Sequence, residues 1–231
     1  MRSYFGPVIG IVLLMPAVAR PEPAIQTMGE LAPWMTARRG PFVSPDWRPY
    51  PGATRPTLKF PPAVVMDGGR PVLELRTVDE SIKIGRTVRI DVARTPRMVW
   101  EWKAIVLPEG GDVRQPRRND QAGRVVLVFE GLRVLLYVWD TSAPVGIEVR
   151  PDTLGDIGER ALIVVRSGPT ELGQWRREAR DVRKDYARLF GGDAPGPVKW
   201  LGLESHSDDV HSHGVVRFGL IRFEPLTGSA P

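Results

Sequence analysis

Short runs of apolar and β-branched residues, separated by turn residues, follow one another along most of the chain after Pro62. Examples are VVLVF, LLYVW and LIVV, and the segments between such runs contain Gly, Pro, Asp and Asn. This spacing is typical of strands joined by tight turns in a sandwich or barrel. The pattern therefore predicts a mainly β domain, and we expect an antiparallel β-sandwich of the jelly-roll type.

The stretch MVWEWKAIV alternates large apolar residues with charged ones. Strand side chains point to opposite faces in turn, so Trp100 and Trp102 share one face while Glu101 and Lys103 share the other. We expect the two tryptophans to face the core. The runs VVLVF and VLLYVW are apolar on both faces, which predicts central strands whose second face is covered or lines a cleft.

One segment, GQWRREARDVRKDYARLFGG, has a helical period instead. Its apolar residues fall three or four positions apart and form a single stripe: Trp175, Ala179, Val182, Tyr186 and Leu189. The glycines at 191 and 192 are a typical helix stop. We predict one amphipathic helix from Gln174 to Phe190, docked against the sandwich.

The first residues resemble a secretory signal. An apolar run from about Val8 to Val18 follows Arg2 and ends in the small residues of Ala17-Val18-Ala19, a pattern that signal peptidase accepts. A membrane anchor is the alternative, but the run is shorter than the roughly 20 apolar residues that span a bilayer. We expect an exported protein, periplasmic or secreted, with no stable membrane insertion after cleavage.

The segment after the signal is rich in proline but carries large apolar residues such as Trp34, Trp47 and Tyr50. Proline blocks helix and strand pairing, so we expect an extended segment that wraps the domain. The predicted organisation is a signal peptide (1–19), a Pro-rich extended lead-in (20–62), a β-sandwich domain (63–225) and a C-terminal tail (226–231).

Composition excludes several classes of function. The chain has no cysteine, which excludes disulfides, thiolate metal sites and cysteine nucleophiles. The net charge of +5 arises from 32 basic and 27 acidic residues that alternate along the chain. Such mixed charge is typical of a solvated surface, so we expect no nucleic-acid partner. No nucleotide-binding or hydrolase motif is present, and we predict no cofactor.

Several motifs occur in the order seen in a known family. They are MVWEWKAIV, NDQAGRVVLVF, LLYVW, DVRKDYARLFG and an acidic loop before VRFGLIRF. Between Val64 and Phe223 the chain resembles the bacterial domain-of-unknown-function family numbered 3047. The positions that match the family's motifs are Trp100, Trp102, Lys103, Asp120, Ala122, Arg124, Val125, Val182, Asp185, Tyr186, Phe190 and Gly191.

The resemblance implies a galactose-binding-like jelly roll with one docked amphipathic helix, and it implies no activity. The chain departs from the family at Asp181, where the helix motif has asparagine. It departs again at residues 206–210, which read HSDDV where the family has D-x-D-N-T. Because of this second departure, a role of that loop in the family does not carry over to this chain.

The loop SHSDDVHSH contains all three histidines of the chain. Imidazole and carboxylate groups can hold zinc, copper or nickel, so His206, Asp208, His211 and His213 are candidate metal ligands. Their spacing forms neither a zinc-finger nor an H-E-x-x-H pattern. We favour a hydrophilic turn without a metal, and a calcium site through Asp208 and Asp209 is a further alternative.

This loop leads directly into the apolar run VVRFGLIRF. We predict a strand there, in which Val216, Phe218 and Leu220 alternate inward. A polar turn that feeds such a strand needs no metal, which is why we favour the simpler interpretation of the loop.

Charged residues in the segments that resemble the family have two interpretations. Asp120, Arg124, Arg180 and Asp185 can form a closed network of charge-assisted hydrogen bonds between strand and helix, which we favour. The alternative is a ligand cleft in which aromatic rings stack on a sugar and charged groups bond its hydroxyls. The candidate ligand-binding residues are Lys103, Asp120, Arg124, Tyr137 and Trp139.

For function, we predict an exported non-catalytic binding module whose partner is a glycan or another cell-envelope component. The alternatives are an envelope glycan hydrolase using a carboxylate pair and a structural protein-interaction domain. A hydrolase needs two carboxyl groups beside one bond. Nothing in the spacing selects a pair among the candidates Glu101, Asp120, Glu130, Asp140 and Glu204.

Overall fold

The computed structural model describes residues 31–50, 58–150, 158–192 and 196–226. In these residues the strands, in chain order, are β1 (Gly40–Pro41), β2 (Arg48–Pro49), β3 (Ala63–Asp67), β4 (Arg70–Val78), β5 (Ser81–Ile90), β6 (Arg97–Val106), β7 (Gly123–Phe129), β8 (Val134–Asp140), β9 (Glu148–Val149), β10 (Arg160–Ser167), β11 (Arg176–Asp181), β12 (Val198–His206) and β13 (His213–Glu224). The helix α1 spans Val182–Phe190, and 3-10 turns span Pro33–Thr36 and Pro116–Arg118. No helix among the described residues is long and apolar enough to cross a membrane.

The strands form two sheets that pack against each other. Sheet A has the order β1-β3-β4-β13-β6-β11, and sheet B has the order β2-β5-β12-β7-β8-β10-β9. Neighbouring strands are antiparallel apart from β8 and β10, which run parallel to each other. The predicted fold is confirmed: it is mainly β, a jelly-roll sandwich with one helix.

The space between the sheets is filled by aromatic and branched side chains. Trp100 and Trp102 are fully buried there, as the alternation along β6 predicts. Trp100 stacks on Tyr137 with 5.1 Å between ring centroids, and Trp102 lies 5.6 Å from Trp139. Burying one large apolar side chain stabilises the fold by about 1.5–3 kcal/mol, so this aromatic cluster is a main source of stability.

Strands β7 and β8 are central in sheet B, as their apolar pattern predicts. Their inward residues join the core between the sheets. On the opposite face of sheet B, Val126, Leu136, Val138 and Leu162 form a second buried apolar cluster with residues of the covering loops. Sheet B is therefore covered on both faces. We call the face that points away from sheet A its outer face, and the candidate site lies there.

The predicted helix from Gln174 to Phe190 is wrong in its first half. Residues Arg176–Asp181 form strand β11, which pairs with the edge of β6. The helix starts only after Asp181, whose side chain accepts a hydrogen bond from the Lys184 backbone amide. Edge pairing satisfies the backbone groups of β6, and this long-range gain overrides the local helical period.

Strand β13 differs from the prediction at one position. Val216 and Phe218 are fully buried, as expected, but Leu220 is only half-buried. A register shift against β6 between Phe218 and Ile221 inverts the alternation, so that Ile221 and Phe223 take the inward positions. A β-bulge of this kind redirects the side chains that follow it.

The described part of the predicted lead-in contacts both sheets. Trp34 is fully buried and donates a hydrogen bond from its indole nitrogen to the carbonyl oxygen of Gly219 at 2.9 Å. Trp47 packs against it with 5.2 Å between ring centroids. Strand β1 pairs with sheet A and β2 with sheet B. The division of the chain into a lead-in and a domain stays a prediction, and the predicted signal peptide lies outside the described residues.

Candidate functional site

A buried carboxylate lies on the outer face of sheet B. Glu204 is on β12, and it pairs in register with Arg124 on β7. The Arg124 guanidinium lies 3.3 Å from Glu204 Oε2, and His206 Nε2 lies 2.9 Å from the same oxygen. All three side chains are less than a tenth exposed. We call Glu204, Arg124 and His206 the Glu204 cluster.

The loop before β7 holds Arg124 in place. Its guanidinium donates to the side-chain oxygen of Gln121 and to the carbonyl oxygen of Asn119. Gln121 in turn donates to Asp140 at 3.4 Å. Because Arg cannot lose its proton, these acceptors orient a permanent positive charge towards Glu204.

The electrostatics keep Glu204 ionised. Burial raises its pKa, but the hydrogen bond to His206 and the charge of Arg124 outweigh burial and lower the pKa to about 2. Burial and the charge of Arg124 lower the pKa of His206 to about 4, against the opposite effect of Glu204. His206 is therefore neutral near pH 7, and because an ionised carboxylate only accepts hydrogen bonds, its Nε2 carries the proton.

Two facing glycines leave room beside this carboxylate. Gly85 on β5 pairs with Gly202 on β12. A Cβ at Gly202 would collide with the Tyr50 hydroxyl, and a Cβ at Gly85 would collide with the Trp200 indole nitrogen. Both aromatic rings therefore lie directly on the glycine floor next to Glu204, and they contact each other edge to face at 5.5 Å.

The charges of Glu204 and Arg124 also affect the neighbouring side chains Tyr50 and Arg160. Burial, and then the charge of Glu204, raise the pKa of Tyr50 well above its ordinary value, so the phenol keeps its proton. Arg160 also lies near, and burial followed by the charge of Arg124 lowers its pKa. The Nε atom of Arg160 is buried without a hydrogen-bond partner among the described residues.

A second group of ligating atoms lies on the other side of His206. One oxygen of Asp120, one oxygen of Asp208 and one ring nitrogen of His206 lie within 4.8 Å of one another. Asp120 Oδ2 accepts from the Val210 amide at 2.8 Å, and Ser81 donates to Asp208 at 2.9 Å. Burial, opposed by the Val210 amide, raises the pKa of Asp120.

The other two candidate histidines lie apart from this group. His211 is on the surface, where its Nδ1 lies 2.8 Å from Asp79, and the hydrogen bond to Asp79 raises its pKa. His213 is exposed at the start of β13. The structure thus brings together two of the four candidate metal ligands, His206 and Asp208, and adds Asp120. Calcium binding through Asp208 and Asp209 stays a prediction.

The five candidate ligand-binding residues do not line one cleft. Lys103 is on the outer face of sheet A, where it pairs with Asp67. Tyr137 and Trp139 are fully buried between the sheets. Only Asp120, in the loop before β7, and Arg124, on β7, lie near each other. A sugar can stack only on an exposed ring, so the predicted stacking on Tyr137 and Trp139 is corrected. Ligand binding by the other candidate residues stays a prediction.

The favoured four-residue network is also divided. Arg180 bonds Asp185 at 2.7 and 2.9 Å, and Asp185 accepts from the Tyr137 hydroxyl at 2.9 Å. This half of the network joins β11 and α1 to the core. Arg124 lies instead on β7 of sheet B and Asp120 in the loop before β7, away from Arg180 on β11 of sheet A.

The five carboxylates that were candidates for a hydrolase pair also lie on different parts of the two sheets. Glu101 pairs with Arg70 on sheet A at 2.7 Å, and Glu130 is largely exposed beside Lys199. Asp140 is on sheet B, but its two oxygens accept from three backbone amides and Gln121. Asp140 therefore holds a turn in place, and Glu204 and Asp120 are the carboxylates left at the candidate site.

Residues 57–222 match the family model described as Protein of unknown function (DUF3047). The match covers more than half of the chain. The chain belongs to the DUF3047 family. No curated protein matches this DUF3047 chain.

Solved structures with a similar fold include three glycoside hydrolases. The xyloglucanase domain of NopAA, a type three effector from Sinorhizobium fredii, in complex with cellobiose, has 9% identity and a TM-score of 0.45, covering 82% of this chain and 96% of that one. A family 12 xyloglucanase from Bacillus licheniformis has 6% identity and a TM-score of 0.43, covering 81% and 97%. A family 11 xylanase from Neocallimastix patriciarum has 11% identity and a TM-score of 0.39, covering 71% and 85%.

These neighbours correct the predicted function. The sequence of the DUF3047 chain predicted a non-catalytic binding module, and the comparison contradicts that prediction: the solved structures are two xyloglucanases and a xylanase, which agree better with the alternative of a glycan hydrolase. At such low identity the likeness concerns the fold, which does not determine the reaction. The chemistry of the DUF3047 chain has to be argued from its own residues.

Sequence reasoning missed part of this site. Tyr50 was interpreted only as a large apolar residue of the lead-in, and neither Trp200 nor Arg160 was singled out. A period-two analysis of the β12 segment WLGLESH places Trp200, Gly202, Glu204 and His206 on one face. That signal was present in the DUF3047 sequence, but the contribution of Tyr50 was not, because this residue comes from a distant segment.

Proposed function

We propose that this protein hydrolyses an acidic glycan on the outer face of sheet B, with Glu204 as the reacting carboxylate. The observation that carries the proposal is the position of Glu204: an ionised carboxylate on a central strand, held by Arg124 and His206 beside a floor of two glycines. Glycoside hydrolysis needs a carboxylate that attacks the sugar or activates water, which is the role of Glu204, and a carboxylic acid that protonates the leaving oxygen. Asp120 is the other carboxyl group at the site, and burial raises its pKa in the direction that an acid requires.

The surrounding groups support recognition of a sugar. The Tyr50 hydroxyl lies within hydrogen-bonding reach of Glu204 and of the Trp200 indole, and sugar hydroxyls can take the place of these partners. The Tyr50 and Trp200 rings supply the apolar surface that a pyranose ring packs against. The glycine floor matters because a side chain at Gly202 or Gly85 would displace these rings.

The charges around Glu204 favour an acidic substrate. Arg124, Arg160 and Lys83 all interact electrostatically with Glu204, so three positive side chains surround this carboxylate. Positive side chains grouped around one point favour the approach of an anion. A uronic acid or another carboxylated sugar would supply that anion, and Arg binds carboxylate groups in a bidentate manner.

We also propose that the protein acts outside the cytoplasm, in the periplasm or outside the cell. Support comes from the N-terminal apolar run after Arg2 and its small-residue ending. Envelope and extracellular glycans are the substrates available there. N-terminal sequencing of protein recovered from the expressing bacterium tests this: a mature chain starting at Arg20 is expected, and a chain that keeps its first residues in the cytoplasm contradicts export.

The test of activity uses purified protein and a substrate panel. We expect release of reducing ends from acidic polysaccharides and peptidoglycan, and less from neutral xyloglucan. Glu204→Gln keeps the size of the side chain but removes its charge, and it should lower the rate by about 100-fold or more. Tyr50→Phe should raise KM more than it lowers kcat, because it removes a donor to the substrate.

The matched control is Glu101→Gln, a carboxylate on the outer face of sheet A that also pairs with an arginine. This variant should retain the wild-type rate. Wild-type protein that is folded by circular dichroism but releases no reducing ends from any member of the panel contradicts the proposed function. So does a folded Glu204→Gln variant with unchanged activity.

A further inference from the structure

We propose that Asp120, His206 and Asp208 form a binding site for a divalent transition metal, with Zn²⁺ as the best-fitting ion. The inference is independent of the proposed function, because it concerns metal binding in the absence of substrate. The site joins the end of β12, the turn before β13 and the loop that leads into β7.

The donor atoms converge although they come from distant parts of the chain. One carboxylate oxygen from each aspartate and one ring nitrogen of His206 lie within 4.8 Å of one another. Asp120 and His206 are buried, and Asp208 is half-buried. A cation between them would be reached from the Asp208 side, and water could complete its coordination there.

The second observation is an unpaired buried oxygen. Asp120 is fully buried, and its Oδ1 atom has no hydrogen-bond partner among the described residues. Its other oxygen accepts from the Val210 amide. Buried polar atoms without a partner are rare in folded proteins, and a carboxylate oxygen in this position is one that a cation satisfies.

His206 has the arrangement that metal-binding histidines use. Its Nε2 is hydrogen-bonded to Glu204, so Nδ1 is the nitrogen left for a cation. Histidine ligands commonly donate their second ring N–H to a carboxylate, which fixes the tautomer and the ring orientation. Glu204 has this position here, and Arg124 and the β12 backbone hold Glu204 in turn.

The other ligand is also held in place. Both oxygens of Asp208 accept from the Ser81 hydroxyl, at 3.0 and 2.9 Å. Because the Ser81 hydroxyl has only one proton to donate, the Asp208 carboxylate keeps lone pairs that a cation can use. One imidazole and two carboxylates suit zinc and, more weakly, manganese. Calcium and magnesium prefer sites made of oxygen atoms alone.

Calorimetric titration of the chelator-treated full chain with ZnCl₂ tests the site. We expect one equivalent of zinc per chain, weaker binding of MnCl₂, and a zinc-dependent rise in the melting temperature. Asp208→Asn should weaken zinc binding by at least 10-fold. The matched control is Asp209→Asn, which removes the adjacent exposed charge but no converging ligand atom, and should weaken zinc binding much less than Asp208→Asn.

A second control removes the other imidazoles. The double variant with His211→Ala and His213→Ala should bind zinc like the wild type, because neither ring lies in the cluster. Folded wild-type protein with no saturable zinc binding overturns the inference. Zinc binding that survives Asp208→Asn but is lost in the double histidine variant also overturns it. Neither result depends on glycan hydrolysis, so a failed activity assay leaves the metal site standing.

Discussion

The outer faces of the two sheets both carry charged residues, but these residues differ in burial and in the partners that they contact. On sheet A, Glu101 pairs with Arg70, and Lys103 and Arg217 pair with Asp67. Their exposure ranges from 9% for the Lys103 side chain to 36% for the Arg70 side chain, and the Trp175 ring covers both of these cations. We call these paired side chains the sheet A network. On sheet B, the Glu204 cluster is almost fully buried.

The difference shows which face is organised for chemistry. On sheet A every carboxylate of the network has a cationic partner, and the Glu101–Arg70 pair is exposed enough for water to screen it. Around Glu204, the atoms Asp120 Oδ1 and Arg160 Nε are buried without hydrogen-bond partners among the described residues, and the pKa values of Glu204, His206 and Asp120 are all shifted. Buried groups with shifted pKa values are a property of functional sites more often than of solvated surfaces.

The largest difference between the faces should appear on removing Glu204. Glu204→Ala leaves Arg124 buried without its carboxylate, so we expect a loss of about 3–5 kcal/mol in the free energy of unfolding. Urea denaturation at neutral pH measures it. Glu204→Gln, which keeps an acceptor oxygen, should lose less. A loss below 1 kcal/mol for Glu204→Ala would mean that the cluster is no more important for stability than a surface pair.

The second difference is a pH dependence that comes from His206. Its pKa is about 4 in the folded protein against 6.5 for an ordinary histidine. Between these values the unfolded chain binds more protons, so the free energy of unfolding falls as the pH falls through this window. The loss amounts to about 3 kcal/mol. Urea titrations of chelator-treated protein at several pH values measure it.

Glu204 acts in the same direction at lower pH. Its pKa is lowered from 4.5 to about 2, so its stabilisation is present above 4.5 and is lost as the pH falls towards 2. His206→Gln, which cannot take up a proton, should show no decline between pH 6.5 and about 4.5. The exposed His211 has a raised pKa, so its contribution is lost as the pH rises instead. A decline that persists in His206→Gln contradicts the assignment.

The glycine floor predicts a third, smaller effect. Gly202→Ala brings its Cβ onto the Tyr50 hydroxyl, so Tyr50 must move, and overpacking costs about 1–3 kcal/mol. Adding Tyr50→Phe removes the colliding oxygen and should recover part of the loss. Thermal denaturation of both single variants and the double variant measures this coupling. Additive losses would mean that Tyr50 does not lie on Gly202.

The smallest effect belongs to the sheet A network. Glu101→Gln removes a pair in which the arginine side chain is 36% exposed, so the free energy of unfolding should change by no more than about 1 kcal/mol. High salt should reduce the effect further. Parallel urea curves for this variant and the wild type measure it. A loss as large as that of Glu204→Ala would remove the contrast between the faces.

Local patterns predicted much of the fold. The alternation along β6 placed Trp100 and Trp102 in the core, and the apolar runs of β7 and β8 identified central strands. Turn residues between short strands indicated the sandwich. These features follow from side chains that need burial on one or both faces of a strand, which is a property of neighbouring residues in the sequence.

The first half of the predicted helix and the candidate site depended on contacts between distant segments. Residues Arg176–Asp181 have a helical period, but the open edge of β6 gives them strand pairing. Pairing of β12 with β7 and β5 brings Glu204 to Arg124, and it brings His206 to the loop that carries Asp120. Tyr50 reaches Gly202 from the N-terminal segment. The sequence by itself determined which residues prefer burial and which strands are central. Only the tertiary structure decided which polar groups meet, because register and sheet order join residues that have no local relationship in the chain.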